Sequence, residues 1–303
     1  MERLKPLNDF IFKKLFGEKD DEPVLIAFLN AVLNRTQKDK LTEIEIIENK
    51  ELTKELIEDK TGRIDVRAKT AKGEQIDIEV QLTDQSNMDK RTLFYWGKLY
   101  LEGIKQGEDY RKLNKVITIN LLDFNFLETK NYHSSFHLWE DVEKDYMLTD
   151  LVEIHFIELP KFRSLENKNY KDEVLQRWLT FLEKDISKEI LEELMQMEPA
   201  IKMAEEKLDL LSSDPKTIEL YKAREYSAHE RANLVSTGIE RGRIEGRIEG
   251  RIEGKIEGKQ EGKIEGKQEV AIALLDILDD EMIAVKTGIE IDKIKELRDK
   301  YGK

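Results

Sequence analysis

The chain has no cysteine among its 303 residues. This absence excludes disulfide bonds and zinc sites built from thiolates, and it suits a reducing compartment. The sequence also has no apolar run that approaches the roughly 18 residues of a membrane span, and its first residues follow the pattern of a charged amphipathic helix rather than a signal peptide. We therefore expect a cytoplasmic protein that has no membrane partner.

Net positive charge is absent as well, since the formal net charge is −13. Most of the excess lies in the middle of the chain, where residues 128–237 carry 15 Lys and Arg against 24 Asp and Glu. The segments on either side are close to neutral, so the overall acidity does not exclude a local surface that binds nucleic acid. A chain of this length can bury a sizeable core and is expected to hold more than one module.

Two neighbouring strand patterns form the most informative part of the sequence. Apolar and polar residues alternate over 62–70 and again over 74–82, and Lys72 and Gly73 between them are suited to a turn. The two runs therefore predict a β-hairpin. Because side chains alternate between the two faces of a strand, Glu79 and Gln81 share one face.

Asp65 on the first strand of this hairpin can lie across from Glu79 and Gln81. Two carboxylates and a side-chain amide are hard oxygen donors of the kind that hold Mg²⁺. The alternative is an ordinary strand with one polar face, which alternation predicts in any case. On that interpretation the residues are solvated, as we expect for Glu74 and Asp77 of the same hairpin.

The segments around the hairpin follow a definite order. Helical patterns cover residues 7–17 and 24–33, a strand pattern covers 44–47, and beyond the hairpin a helix over 89–106 precedes a buried-strand candidate over 115–122. The order is helix, strand, strand, strand, helix, strand, with the carboxylates on the second and third strands.

This order, together with local motifs, carries a resemblance to a known family. The matching stretches are residues 8–17, 62–66 and 76–81, the helical positions Arg91, Tyr95, Trp96 and Tyr100, and residues 107–110 before the next strand. In these stretches the chain resembles the recombination-promoting nuclease and transposase family, a branch of the PD-(D/E)XK nuclease superfamily. The similarity is strong over residues 1–160, and the glycine-rich tail after residue 238 also fits the family.

The resemblance implies an α/β fold with a PD-(D/E)XK, restriction-endonuclease-like core, in which helices flank a mixed central sheet. We expect a nuclease-like domain over residues 1–165 and a helical connector over 166–237. A four-residue glycine-repeat arm over 238–269 and a small helical module over 270–303 complete the predicted organisation.

The function implied by the resemblance is that of a Mg²⁺-dependent DNA endonuclease, associated with recombination or transposition, that hydrolyses phosphodiester bonds. Asp65 and Glu79 would hold the ion together with the Val80 carbonyl, and Gln81 would position the attacking water. Most members of the superfamily carry Lys where this chain has Gln81, which can orient a water but supplies no positive charge. Asp9 on the first helix either adds an acidic group to the site or caps the helix.

The helix after Gln81 carries basic residues that suit a phosphate-binding face, with Lys90, Arg91 and Lys98 as the expected DNA contacts. A solvated helix face is the alternative for each of them. The second candidate for the whole chain is a catalytically inactive, oligomeric interaction or regulatory protein that retains the nuclease fold.

The middle of the chain begins with strand patterns over 132–138 and 152–159, which would extend the sheet, and changes to helical patterns from residue 169, the last over 217–235. His133 and His137 are four residues apart. That spacing suits a metal ion only on a helix, and their segment has a strand pattern, so we assign no metal to them.

Glycine recurs at every fourth residue from Gly238 to Gly266. Each glycine in a helix costs roughly 1 kcal/mol relative to alanine, and the charged residues four apart have the same sign. A glycine stripe nevertheless lets two helices approach closely. We favour a conditionally helical, self-associating arm that makes the protein a homo-oligomer, and a flexible linker is the alternative.

Three short helical patterns end the chain, over 270–278, 280–286 and 291–300, and their connection resembles a helix-turn-helix. The surrounding residues are acidic, which weakens a DNA role. A module that contacts another protein or caps the arm is equally open.

Overall fold

A computed structural model describes residues 3–47, 66–84 and 87–301. The chain divides into two compact units, Met1–His229 and Glu230–Lys303. Each unit has a hydrophobic core of its own.

The first unit begins with two helices, α1 (Asp9–Phe16) and α2 (Glu22–Val32), with a 3-10 turn at Lys19–Asp21 between them. The side chain of Asn8 accepts hydrogen bonds from two backbone N–H groups in the first turn of α1, which have no acceptor within the helix itself. Pro23 stands in the first turn of α2, where its missing N–H removes no helical hydrogen bond. Both helices bury apolar faces in the main core of this unit.

Six strands form one mixed sheet: β1 (Ile44–Ile46), β2 (Val66–Thr70), β3 (Gln75–Gln81), β4 (Val116–Leu122), β5 (His133–Trp139) and β6 (Met147–Glu158). Their spatial order is β1-β2-β3-β4-β6-β5. β4 runs parallel to its neighbours β3 and β6, and the other pairs are antiparallel. Helix α3 (Met88–Glu102) connects β3 to β4, as a parallel pair requires a crossover. The expectation of a mixed sheet flanked by helices is therefore confirmed.

The β2–β3 hairpin turns where the sequence predicts it. Gly73 adopts a left-handed backbone conformation with φ at 86°, and a Cβ added there would lie 2.9 Å from the side chain of Asn114. Both the backbone angle and the close approach favour glycine at this position.

Both faces of the central strands are covered. Ile76, Ile78 and Val80 of β3 point into the main core together with apolar residues of β4, while α3 packs against the opposite face. β4 is buried along its whole length, which explains why its sequence is a nearly continuous apolar run.

Four helices lie between the sheet and residue 214: α4 (Leu159–Arg163), α5 (Val174–Leu182), α6 (Lys188–Met197) and α7 (Pro199–Ser213). Trp178 of α5 is fully buried, and its ring centroid lies 5.9 Å from that of Phe16 and 5.7 Å from that of Phe28. The helices beyond residue 166 therefore share a core with α1 and α2, and the apolar pattern of this region is that of core residues.

Helix α8 (Pro215–Leu274) contains the whole glycine repeat. The sequence predicts separate helices over 217–235 and 270–278, whereas the structure has one continuous helix that ends at Leu274 and a turn over 275–278. The repeat contains no proline, so no residue within it removes a backbone donor from the helix. The side chains of residues 238–265 are exposed.

The second unit ends in two short helices, α9 (Asp280–Thr287) and α10 (Ile291–Tyr301). Gly288 ends α9 in the left-handed conformation typical of a helix C-terminus. The small core of this unit consists of apolar residues from the end of α8, from the turn after it and from these two helices: Ala271, Leu275, Ile283, Ile294 and Leu297. In the three ranges that the structure describes, no helix combines the length and the apolar character needed to cross a membrane.

Candidate active site

Polar side chains line the face of the sheet that α3 covers. Gln75, Asp77 and Glu79 alternate along β3 on this face and are all buried, Asp77 to 1 % exposure. The expectation that Asp77 is solvated is therefore wrong, because the helix closes over a face that alternation alone presents as outward. Glu74 is also less solvated than expected, since its Oε1 lies 3.0 Å from Nη2 of Arg35.

Glu79 has two carboxylate oxygens in different surroundings. Its Oε2 accepts a hydrogen bond from Nη2 of Arg91 at 2.9 Å and one from Nε2 of Gln81 at 3.4 Å. Its Oε1 is buried and has no hydrogen-bond partner within the described ranges. Burial raises the pKa of Glu79, and the charge and hydrogen bonds of Arg91 and Gln81 oppose that rise. Arg91 and Gln81 thus fix one oxygen, and within the described chain the other is open to a ligand that accepts an electron pair.

Helix α3 is docked at the level of Glu79. The neighbour of Arg91 in sequence, Thr92, donates a hydrogen bond from Oγ1 to Oδ1 of Asn120 at 2.6 Å. Asn120 is the β4 residue opposite Glu79, and its Nδ2 donates to the main-chain oxygen of His155 at 3.0 Å. This chain of buried hydrogen bonds fixes the helix, and therefore the start of the Arg91 side chain, relative to the sheet.

The Arg91 guanidinium has a second unusual feature. It lies 5.6 Å from the ring centroid of Tyr95, one helical turn further along α3. Its Nε is buried and, among the residues that the structure describes, has no hydrogen-bond partner. Nε of Arg91, a donor, and Oε1 of Glu79, an acceptor, are therefore both buried without a partner in the described chain, while their side chains are hydrogen-bonded to each other through other atoms.

The three basic residues predicted to contact DNA differ in their surroundings. Lys90 is exposed, and Nζ of Lys98 lies 5.5 Å from the ring centroid of Phe94. Arg91 is paired with Glu79 instead, and only 11 % of its side chain is exposed. The DNA contacts themselves stay predictions.

The pairing of Arg91 with Glu79 was not anticipated from the sequence. A signal for it exists, because Arg91, Tyr95 and Leu99 recur at four-residue intervals on the buried side of the helix. An arginine at the start of an inward-facing row is a candidate for the partner of a buried acid.

The structure gives less information on the two other predicted site residues, Asp65 and Asp9. Asp65 lies outside the described residues. Asp9 is the first residue of α1, where its Oδ1 accepts the N–H of Phe10 at 2.7 Å and its Oδ2 lies 3.3 Å from Nη1 of Arg224. The N-cap of α1 is Asn8, and a role of Asp9 in the site stays a prediction.

We tested whether these residues fit a metal ion. The described parts of the chain contain no group of three or more His, Asp and Glu side chains arranged to hold one. Oε1 of Glu79 is nevertheless a hard oxygen donor that has no partner among the described residues, and such an oxygen is the type of ligand that Mg²⁺ prefers. Glu79 therefore has a free-standing oxygen of the right chemistry in the described chain, and its role as a metal ligand stays a prediction.

The two histidines that the sequence analysis set apart lie on β5, in a separate polar network. Nε2 of His133 lies 2.9 Å from Nδ1 of His155, and Nε2 of His155 lies 2.8 Å from Oε1 of Glu153. Burial, with a smaller contribution from His155, lowers the pKa of His133 to about 4. Burial alone would raise the pKa of Glu153, but hydrogen bonds from His155 and Lys115 lower it to about 2.

Comparison with known proteins connects this geometry to a family. No curated protein and no solved structure matches the chain. A family model described as the PD-(D/E)XK nuclease family transposase matches residues 6–238, a range that takes in α1, α2, the whole sheet and the site around Glu79. The match confirms the resemblance drawn from the sequence motifs, and because it covers most of the chain, the chain belongs to this family.

Proposed function

We propose that this member of the PD-(D/E)XK nuclease family transposases is a Mg²⁺-dependent endonuclease that hydrolyses phosphodiester bonds in DNA. Membership indicates a nuclease linked to transposition; the metal and the residue roles are our proposal. The observation that carries it is the Glu79 carboxylate, buried on β3 with one oxygen held by Arg91 and the other without a partner in the described chain.

Asp65 and Glu79 are the proposed carboxylate ligands of the ion, together with the Val80 carbonyl. A divalent ion bound there neutralises charge on the phosphate and lowers the pKa of a nearby water. Glu79 contributes Oε1, because its Oε2 already accepts the Arg91 hydrogen bond. Gln81 lies beside Glu79 on the same strand face, where its amide can accept and donate hydrogen bonds and so orient the attacking water.

Two further features support DNA as the substrate and a homo-oligomer as the active form. Lys90 and Lys98 lie on the helix that carries Arg91 and are the proposed contacts to phosphates beside the scissile bond. The arm within α8 is the proposed self-association element. Two copies would place two sites on one duplex, and each site would cut one strand.

A second candidate is an oligomeric interaction or regulatory protein that has lost catalysis. Two observations favour it. Gln81 brings no charge to the position where most of the superfamily has Lys, and Arg91 already neutralises one oxygen of Glu79.

Nicking of supercoiled plasmid in Mg²⁺, with EDTA as the blank, distinguishes the two candidates. We expect Glu79→Gln to lose on the order of 10³-fold in rate, because several kcal/mol of charge stabilisation depend on the ion that Glu79 holds. Gln81→Ala should lose roughly 10²-fold, the size of effect expected when a reacting water is misplaced by about 1 Å. Glu45→Gln is the matched control, since Glu45 is an exposed strand carboxylate on β1. A parent protein that nicks no DNA in Mg²⁺ or Mn²⁺ would favour the second candidate.

A further inference from the structure

The position of Gln81 lacks a positive charge, and the role of the nearby Arg91 guanidinium has not yet been assigned. Gln81 cannot supply the positive charge that a lysine would bring to the phosphate. Arg91, from α3 rather than from β3, reaches the same carboxylate that Gln81 reaches, with its Nη2 at 2.9 Å from Oε2 of Glu79. The positive charge next to Glu79 is therefore supplied by Arg91 of helix α3.

Two atoms of this pair, Oε1 of Glu79 and Nε of Arg91, have no partner among the described residues, and they indicate which ligand completes the pair. Oε1 of Glu79 is an acceptor and fits a cation, whereas Nε of Arg91 is a donor and fits an anion. Buried polar atoms without partners are costly and are uncommon in folded proteins. A phosphate group next to a divalent cation has both complementary charges, whereas a metal ion alone can serve only the acceptor, Oε1 of Glu79.

We propose that Arg91 is a catalytic residue that donates hydrogen bonds to the phosphate being cut and so replaces the charge that Gln81 lacks. This inference rests on the proposed nuclease function and adds the residue that contacts the anion. The guanidinium has five N–H donors in a rigid fork, so one of them can hold Glu79 while others face a phosphate. A lysine in that place would have to use its single ammonium for both partners.

The surroundings of Arg91 suit this role. The hydrogen bond from Thr92 to Asn120 fixes the helix beside the strand that carries Glu79, and Tyr95 lies under the guanidinium. The side chain is therefore held before a substrate arrives, and a group held in advance stabilises developing charge without reorganisation. The competing explanation is that Arg91 is only the counter-ion of a buried acid.

The test compares Arg91→Gln and Arg91→Lys with Arg35→Gln in the full-length protein. Arg35 and Glu74 form a second largely buried Arg–Glu pair, in which Glu74 lies in the connection between β2 and β3. Arg35→Gln therefore controls for the loss of such a pair. Three quantities are measured: Mg²⁺ binding by calorimetry, the thermal shift caused by inorganic phosphate in the presence of Mg²⁺, and the rate of plasmid nicking.

We expect Arg91→Gln to nick roughly 10² to 10³ times more slowly, which is the loss seen when one preorganised donor to a developing negative charge is removed. It should lose the phosphate-dependent thermal shift and keep Mg²⁺ binding, unchanged or tighter, because a cation beside the ligand carboxylate has been removed. Arg91→Lys should recover part of the rate, and Arg35→Gln should behave like the parent.

Three results would overturn the inference. In the first, Arg91→Gln nicks as fast as Arg35→Gln while the parent is active, which leaves the nuclease proposal standing. In the second, the variant loses Mg²⁺ binding together with activity, which makes Arg91 a positioning residue for Glu79. In the third, the phosphate-dependent shift persists in Arg91→Gln, and this readout decides the question even if the parent nicks no DNA.

Discussion

The buried pair of Glu79 and Arg91 leads to a stability prediction that differs from what a surface carboxylate would give. If Glu79 faced solvent, its replacement would leave the fold intact. Glu79 is instead 3 % exposed, so Glu79→Gln leaves the Arg91 guanidinium buried without its counter-charge, and Arg91→Gln leaves the carboxylate in the same condition.

The expected size follows from the burial of the two groups. Removal of one partner from a buried ion pair costs about 3–5 kcal/mol, because the remaining charge stays desolvated. Arg91 keeps 11 % of its side-chain exposure, so we expect about 3 kcal/mol for each single variant. The double variant contains no unpaired charge and should cost about 2 kcal/mol less than the sum of the single variants.

Urea unfolding followed by tryptophan fluorescence measures the coupling between Glu79 and Arg91, because it reports on unfolding of the first unit, which contains both residues. The protein has three tryptophans, and Trp96, Trp139 and Trp178 all belong to the first unit. The cycle of Arg35→Gln and Glu74→Gln is the matched positive control, because this second largely buried pair has side-chain exposures of 13 % and 14 % and should show a coupling of its own. Additive effects of the Glu79 and Arg91 substitutions would refute the reasoning that the two charges depend on each other.

Three further predictions follow from other parts of the chain. The pKa of His133 is about 4 in the folded protein, below the value of about 6.5 for an exposed histidine. The folding stability that depends on neutral His133 is therefore complete above pH 6.5 and is lost as the pH falls towards 4, so at pH 5 the parent should be less stable than at pH 7 by roughly 1–2 kcal/mol. Parallel pH–stability curves for the parent and His133→Phe would contradict this. Replacement of Lys90 and Lys98 by Gln should reduce the salt dependence of duplex binding by about two in the slope of log K against log salt; an unchanged slope would place the DNA path elsewhere. Removal of residues 238–303 should leave a folded core and lower the oligomeric state, as light scattering would show.

Much of the fold is predictable because its signals are local. Alternation of polar and apolar residues identifies β2 and β3, the continuous apolar run identifies β4, and glycine at position 73 marks the turn. The position of β6 between β4 and β5 depends on pairings between distant segments. No periodicity within one segment contains that information, so the strand order beyond β4 was not predictable in this way.

The candidate site was predictable from its strand residues only. The period of two places Glu79 and Gln81 on one face, and the structure has them in hydrogen-bond contact. The burial of Asp77 and the pairing of Arg91 both depend on how α3 is rotated and docked on the sheet, which is fixed by contacts such as the one from Thr92 to Asn120. Sequence pattern predicts which residues a strand presents to one side, but not what covers that side.

The glycine repeat poses an energetic question that its substitution by alanine can answer. Eight glycines in a helix cost on the order of 8 kcal/mol relative to alanine, and a Cβ placed at any of them from Gly238 to Gly266 would meet nothing within 4 Å. The described chain therefore offers no close packing at the repeat to offset this cost, and our proposal assigns that role to a second copy.

If two arms pack through their glycines, Gly246→Ala, Gly250→Ala and Gly254→Ala together should increase helix content in the isolated repeat by circular dichroism. The same substitutions should weaken self-association of the full-length protein in light scattering, because three methyl groups block the close approach. Alanine would raise helix content in a solitary arm as well, but it would leave the molar mass unchanged. A full-length triple variant that associates as strongly as the parent would therefore exclude the glycine stripe as the contact surface and leave the repeat as a linker.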